Sequence, residues 1–162
     1  MSKAVMLSIR PKWCELIASG EKTIEVRKTK LKLEMPFKCY IYCTRDKHLA
    51  FMQNATGTNL MACMDVKTAI PVGGFVGNGK VIGEFVCEQI KDYGIVRPET
   101  YGEYAGTGLS AAEMAAYSAG RPVYGWRISD LRIYDMPREL TAYGIKRPPQ
   151  SFCYVEADEK DA

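Results

Sequence analysis

Residues 19–28 read Ser19-Gly20-Glu21-Lys22-Thr23-Ile24-Glu25-Val26-Arg27-Lys28, and half of these ten side chains carry charge. Upstream, Trp13, Leu16 and Ile17 fall at i, i+3 and i+4, which predicts a helix over residues 11–19 with one apolar face. Pro11 suits the first helical position, where a missing N–H costs nothing, and Gly20 supplies a left-handed stop. Downstream, Ile24 and Val26 alternate with Glu25 and Arg27, the period of a half-buried strand. The stretch is therefore a helix-to-strand joint. Lys22 sits in the turn, and Glu25 and Arg27 share one strand face. Lysine offers a compact cation, arginine a fork for phosphate or a base edge, and glutamate an acceptor that orients the arginine or takes a base amino group. Two readings fit: an exposed strand with ordinary surface ion pairs, or the charged wall of a site.

Working outward, residues 5–9 form a short apolar run that reads as a buried strand ahead of the helix. Residues 37–44 read as another strand, with Cys39, Ile41 and Cys43 on one face and Tyr40 and Tyr42 on the other. Residues 45–75 show no clear period, with 49–52 and 60–66 readable as short helices or strands, and are expected to be an insertion over the core. Asn78-Gly79 signals a tight hairpin turn between residues 74–76 and a strand over 80–90. Ser110-Ala111-Ala112-Glu113 is a capping-box pattern opening a short helix that Gly120 ends. Strands are expected over 124–134 and 151–156, and the tail 157–162 is expected to fray. The sum is an α+β domain of about six strands in a small mixed sheet, with two or three short helices. A chain of 162 residues fits one such domain and buries about 70% of its unfolded surface on folding.

Composition narrows the function classes. With 47% hydrophobic and 25% charged residues the chain is ordinary for a globular protein, and no apolar run approaches the roughly 18 residues of a membrane span. The N-terminus lacks the pattern of a secretory signal, so the expected address is cytoplasmic and the six cysteines are expected to stay reduced. Cys39, Cys43 and the single His48 make a weak zinc set, because the strand alternation accounts for both cysteines as core packing. Neither a metal nor a cofactor is expected. Gly74-Phe75-Val76-Gly77-Asn78-Gly79-Lys80 matches seven positions of a phosphate-binding loop. Val81 has no hydroxyl for magnesium, however, and a strand follows where a helix is required. Residues 1–47 hold 11 of the 22 Lys and Arg against 5 of the 19 Asp and Glu, a net of +6 within a total of +3. A basic half of this kind favours a polyanionic partner.

The pattern Gly20-x-Lys22-x-x-Glu25-x-Arg27 resembles the signature of the ASCH domain family. Upstream, Leu7-Ser8-Ile9-Arg10-Pro11-Lys12-Trp13 is similar to the family's first strand and helix. Val81-Ile82-Gly83-Glu84-Phe85 and Arg147-Pro148-Pro149-Gln150-Ser151-Phe152 are similar to a bacterial and phage-borne branch. The resemblance implies a PUA-like small β-barrel with a cleft beside the first helix that takes RNA or a modified nucleotide. Lys22, Glu25 and Arg27 would line that cleft, and Arg10 and Lys12 would extend it. A second resemblance, to the small bacterial acetylcytidine amidohydrolases, implies the alternative of nucleoside deacylation. Their activity is attributed to a lysine, a threonine and a glutamate. Lys22 matches the lysine, Glu25 stands in the threonine's place, Thr23 has the opposite strand parity, and Glu103 is the acid nearest the third place. With the hydroxyl missing, binding is expected rather than catalysis.

Overall fold

A computed structural model describes residues 3–55, 60–67 and 74–157. The first strand, β1 (Lys3–Ile9), leads through Arg10 into helix α1 (Pro11–Ser19). Pro11 occupies the first turn, and Gly20, at φ 85°, closes the helix by donating its N–H to the Ile17 carbonyl. Strand β2 (Ile24–Arg27) follows at once, and β3 (Phe37–Cys43) runs parallel to β1. Next come β4 (Leu49–Ala55), β5 (Leu60–Asp65), β6 (Phe75–Val76), β7 (Lys80–Cys87) and β8 (Ile90–Ile95). Helix α2 (Ala111–Ser118) precedes β9 (Pro122–Arg127), β10 (Ser129–Arg138), a 3-10 turn (Leu140–Tyr143) and β11 (Phe152–Glu156).

The strands form three sheets, in the orders β10-β7-β3-β1-β11, β2-β9-β8 and β5-β4-β6. The fold is mixed and dominated by sheet, with two α-helices among the described residues. Eleven strands are described where the sequence predicts about six, and among the described residues no closed barrel is found. The excess has identifiable sources. The run expected over 80–90 breaks at Glu88 and Gln89, and the one expected over 124–134 breaks at Ile128. Each half pairs in a different sheet although the β-pattern runs on. The aperiodic 45–75 stretch contributes β4 and β5, which pair with each other and pack under α1. Residues 56–59, 68–73 and most of the tail lie outside the described residues. The expected Asn78-Gly79 hairpin is also corrected: the turn is present, but β6 pairs with β4 while β7 pairs with β3 and β10.

The alternation in β3 divides the core as expected. Cys39, Ile41 and Cys43 pack with Leu7, Ile17, Phe85 and Trp126 on one side of the five-stranded sheet. Tyr40 and Tyr42 pack with Met6, Val81 and Tyr134 on the other. The described cysteines are free thiols, His48 is exposed, and no group of three potential metal ligands occurs among the described residues. No helix among the described residues is long and apolar enough to cross a membrane.

Candidate functional site

The helix-to-strand joint is pinned by backbone before its side chains act. Lys22 N–H donates to the Leu16 carbonyl at 2.9 Å, folding the turn back on α1. Thr23 and Ile24 both donate to the carbonyl of Gly106, at 2.8 and 3.0 Å, which brings the loop before α2 against β2. Gly106 has φ +83°, and a Cβ there would meet the Thr23 hydroxyl at 2.5 Å, so glycine is required at this crossing. Thr107 lies next in that loop, fully buried.

Within this frame Lys22 and Glu25 are buried, at 3% and 6% exposure, although both are ionisable. Lys22 Nζ donates to the Thr107 carbonyl and stands 3.6 Å from Glu25 Oε1. It also lies 5.0 Å from the centroid of the Trp13 ring. Burial lowers the Lys22 pKa from its ordinary value, Glu25 opposes that shift, and Arg27 adds to it. Glu25 Oε2 accepts from Arg27 Nε at 3.2 Å and from Nη2 at 2.9 Å, the two-pronged geometry that fixes a carboxylate. Arg27 Nη2 also reaches the Ser8 carbonyl at 2.7 Å, and Nη1 reaches the Ser151 carbonyl and hydroxyl at 3.3 and 3.1 Å. Every nitrogen of that guanidinium is engaged by protein. Arg27 acts on the site by holding Glu25 and by tying β2 to β1 and to the start of β11.

A pocket of about 310 Å³ opens over this cluster. Arg10, Lys22, Glu25 and Arg27 all line it, together with Ser8, Trp13, Leu109 and Tyr117. Lys12 is not in the lining. It is exposed, with Nζ 5.1 Å from the Trp13 ring, at the edge of the same wall. Of the five expected binding residues, four therefore meet in one pocket and the fifth flanks it. Sequence reasoning missed Leu109 and Tyr117, which α2 and its leading loop supply from nearly ninety positions downstream. The one legible signal was the spacing of Met114 and Tyr117 at i, i+3 behind a capping box. Burial raises the Tyr117 pKa, so its ring carries a neutral phenol.

Two residues weighed for hydrolysis fall elsewhere. Thr23 lines a separate hollow with Gln89 and Arg127, and Glu103 is exposed and outside the pocket lining. A larger hollow of about 680 Å³ lies between the 3-10 turn and β11, lined by Arg138, Tyr143, Tyr154 and Glu156. Volume favours that hollow; convergent buried charge beside aromatic walls favours the smaller one, and chemistry is the better guide. A second buried carboxylate, Glu84, accepts from Lys38 at 2.8 Å and from the Tyr134 hydroxyl at 2.9 Å, joining β3, β7 and β10 as a structural clasp.

A family model for the ASCH domain matches residues 7–129, a span that contains the joint, the pocket and α2. The chain belongs to the ASCH domain family. Among solved structures, the ASCH protein of Zymomonas mobilis superposes with a TM-score of 0.64 at 20% identity, over 98% of this chain and 91% of that one. A variant of that protein with one tyrosine changed to phenylalanine matches at TM-score 0.63 and 19% identity, over 99% and 95% of the two chains. At such identity the likeness establishes the ASCH fold alone. The sheet-dominant architecture agrees with the PUA-like superfamily. No curated protein matches the sequence.

Proposed function

We propose that this ASCH domain binds one nucleotide unit in the pocket beside α1, as a residue of RNA or as a modified nucleotide. The observation that carries the reading is Glu25. Arg27 occupies its Oε2, while Oε1 faces Lys22 at 3.6 Å, beyond ordinary hydrogen-bond length, on the wall of an aromatic-lined pocket. A base edge entering there meets a fixed carboxylate that takes an amino or imino N–H, with the Trp13 and Tyr117 rings as apolar walls. At about 310 Å³ the pocket stands at the small end of ligand sites, which span roughly 300–1,000 Å³, so it suits one base and not a stack. The family's association with RNA binding and the basic N-terminal half support the same class of ligand. In this reading residues 1–162 act as one domain, with residues 45–75 as an insertion.

Deacylation of a modified nucleoside is the second reading and has less behind it. It would use the buried Lys22 in proton transfer, but no threonine or second carboxylate joins Lys22 and Glu25 in the pocket lining. Fluorescence anisotropy with short single-stranded RNA at about 50 mM salt tests the binding reading. Saturable binding that Glu25→Gln abolishes supports it. Equal binding by wild type and Glu25→Gln refutes it. Release of cytidine from acetylcytidine, absent in Lys22→Ala, would move the assignment to hydrolysis.

A further inference from the structure

The five-stranded sheet ends on one side at β11, which has β1 as its single neighbour. Ser8 N–H donates to the Ser151 carbonyl at 2.9 Å, and the register with β1 runs without a shift from Leu7 and Phe152 to Lys3 and Glu156. In an antiparallel ladder this phase turns the N–H and C=O groups of Cys153 and Val155 toward β1, and those of Phe152, Tyr154 and Glu156 outward. Among the described residues no other backbone segment bonds to these outward groups. The remaining edges of the two sheets that meet at the pocket are blunted. Pro137 and two register shifts interrupt β10, and Gln53 caps its Tyr134 carbonyl. The Gly106 carbonyl accepts from the Ile24 N–H of β2, and a shift between Asp92 and Gly94 breaks β8. Strand β11 has no proline, no glycine and no shift, and Tyr154 at its centre is 49% exposed. A flat edge of this kind is a template for another strand.

Charge and side-chain order say which strand. Lys146 and Arg147 precede β11 and Glu156 ends it; all three are exposed, and none forms an ion pair among the described residues. Antiparallel pairing of two copies sets the basic flank of each beside the acidic end of the other, twice over. Outward groups must meet outward groups, so the register can change only in steps of two residues. Centring the pair on Cys153 places Phe152 of each copy opposite Tyr154 of the other, one aromatic pair on either side of the axis. The registers two residues away keep a single aromatic pair. We infer that the partner of this edge is a second copy of the chain, joined antiparallel through β11 about a twofold axis at Cys153. The two five-stranded sheets then run on as one, and the inference does not depend on what the pocket binds.

Sedimentation velocity on the full chain from about 10 µM to about 1 mM tests it, a range that suits the small area of one strand edge. The expected result is a monomer–dimer equilibrium. Tyr154→Pro removes an N–H that β1 does not use, so the monomer keeps its fold, which a thermal melt checks, while dimerisation weakens by about tenfold. Arg147→Glu and Glu156→Arg should each weaken the dimer by about threefold, the size of two exposed ion pairs, and the two together in one chain should restore it. At the axis the two Cys153 Cα atoms stand about 4.5 Å apart in a non-hydrogen-bonded pair, within the span of a disulfide. Diamide takes up the two thiol hydrogens as its N=N bond is reduced to a hydrazine, so it should couple wild type into a covalent dimer through Cys153, mapped by mass spectrometry. The reaction is run at mildly alkaline pH because burial raises the Cys153 thiol pKa. Cys153→Ser should dimerise without coupling. A single-chain mass at about 1 mM overturns the inference. So does a dimer that Tyr154→Pro leaves intact, that the paired charge exchange fails to restore, or in which Cys153 is not coupled, since each would be joined by another surface or in another register.

Discussion

Glu25 is the residue on which the site turns, since one carboxylate offsets two buried or half-buried cations. Removing one partner of such a set strands the others, so Glu25→Ala should lose about 3–5 kcal/mol of stability. Urea denaturation measures this, and a loss under 1 kcal/mol would mean the cluster is solvated. Lys22 makes a second prediction, in pH. Its folded-state pKa is lowered from the ordinary 10.5. Between the folded and unfolded values the unfolded chain binds the extra proton, so the stability contributed by this group rises with pH in a window that closes near 10.5. Below that window both states are charged and the burial penalty is felt in full. Wild type should therefore gain stability relative to Lys22→Met as pH rises toward 10.5. A flat difference across that range would show that burial does not perturb the amine.

At the level of elements, the loop before α2 is what completes the pocket. Gly106 and Gly108 both have positive φ, but their surroundings differ. A Cβ at Gly108 would meet Trp13 at an ordinary 3.4 Å, whereas one at Gly106 would press on the Thr23 hydroxyl. Gly108→Ala should thus cost only the backbone penalty, about 1 kcal/mol, and Gly106→Ala should cost more and displace β2 from the loop. Thermal melts of the two variants give the order directly, and equal losses would show that the Thr23 contact relaxes freely. The start of α2 is set by Ser110, whose Oγ accepts from Glu113 N–H at 3.2 Å in the capping box read from the sequence. Helix α1, its Gly20 stop and the strand parity of Glu25 and Arg27 were legible for the same reason: each is encoded by neighbours in sequence. The partners of Lys22 and Arg27 were not, because Thr107 and Ser151 lie 85 and 124 positions away. A β-pattern records that a segment is extended and which face is apolar. It does not record which sheet it joins, so the breaks at Glu88-Gln89 and Ile128 escaped it.

Over the whole molecule, three sheets must hold their relative positions for the pocket to keep its shape. Gln53 supplies one of the ties: it is fully buried in β4, and its Nε2 donates to the Ile82 carbonyl of β7 and the Tyr134 carbonyl of β10, at 3.2 and 2.6 Å. Gln53→Ala should lower stability by about 1–3 kcal/mol in urea denaturation. A neutral result would show that the β5-β4-β6 sheet is held by apolar packing alone. The pocket lies where the other two sheets meet α1 and α2, with Ser8 from β1 and Glu25 from β2 in one lining. Residues 1–47, which supply α1 and β2 to the lining, hold 11 of the 22 Lys and Arg, a balance that favours a polyanionic partner. A crystal structure of the protein with a bound single-stranded RNA heptamer would show where that polyanion lies. The prediction is one flipped base between Trp13 and Tyr117, with an N–H group on Glu25 Oε1. RNA seated instead in the hollow beside Arg138 and Tyr154, with the Glu25 pocket empty, would contradict it.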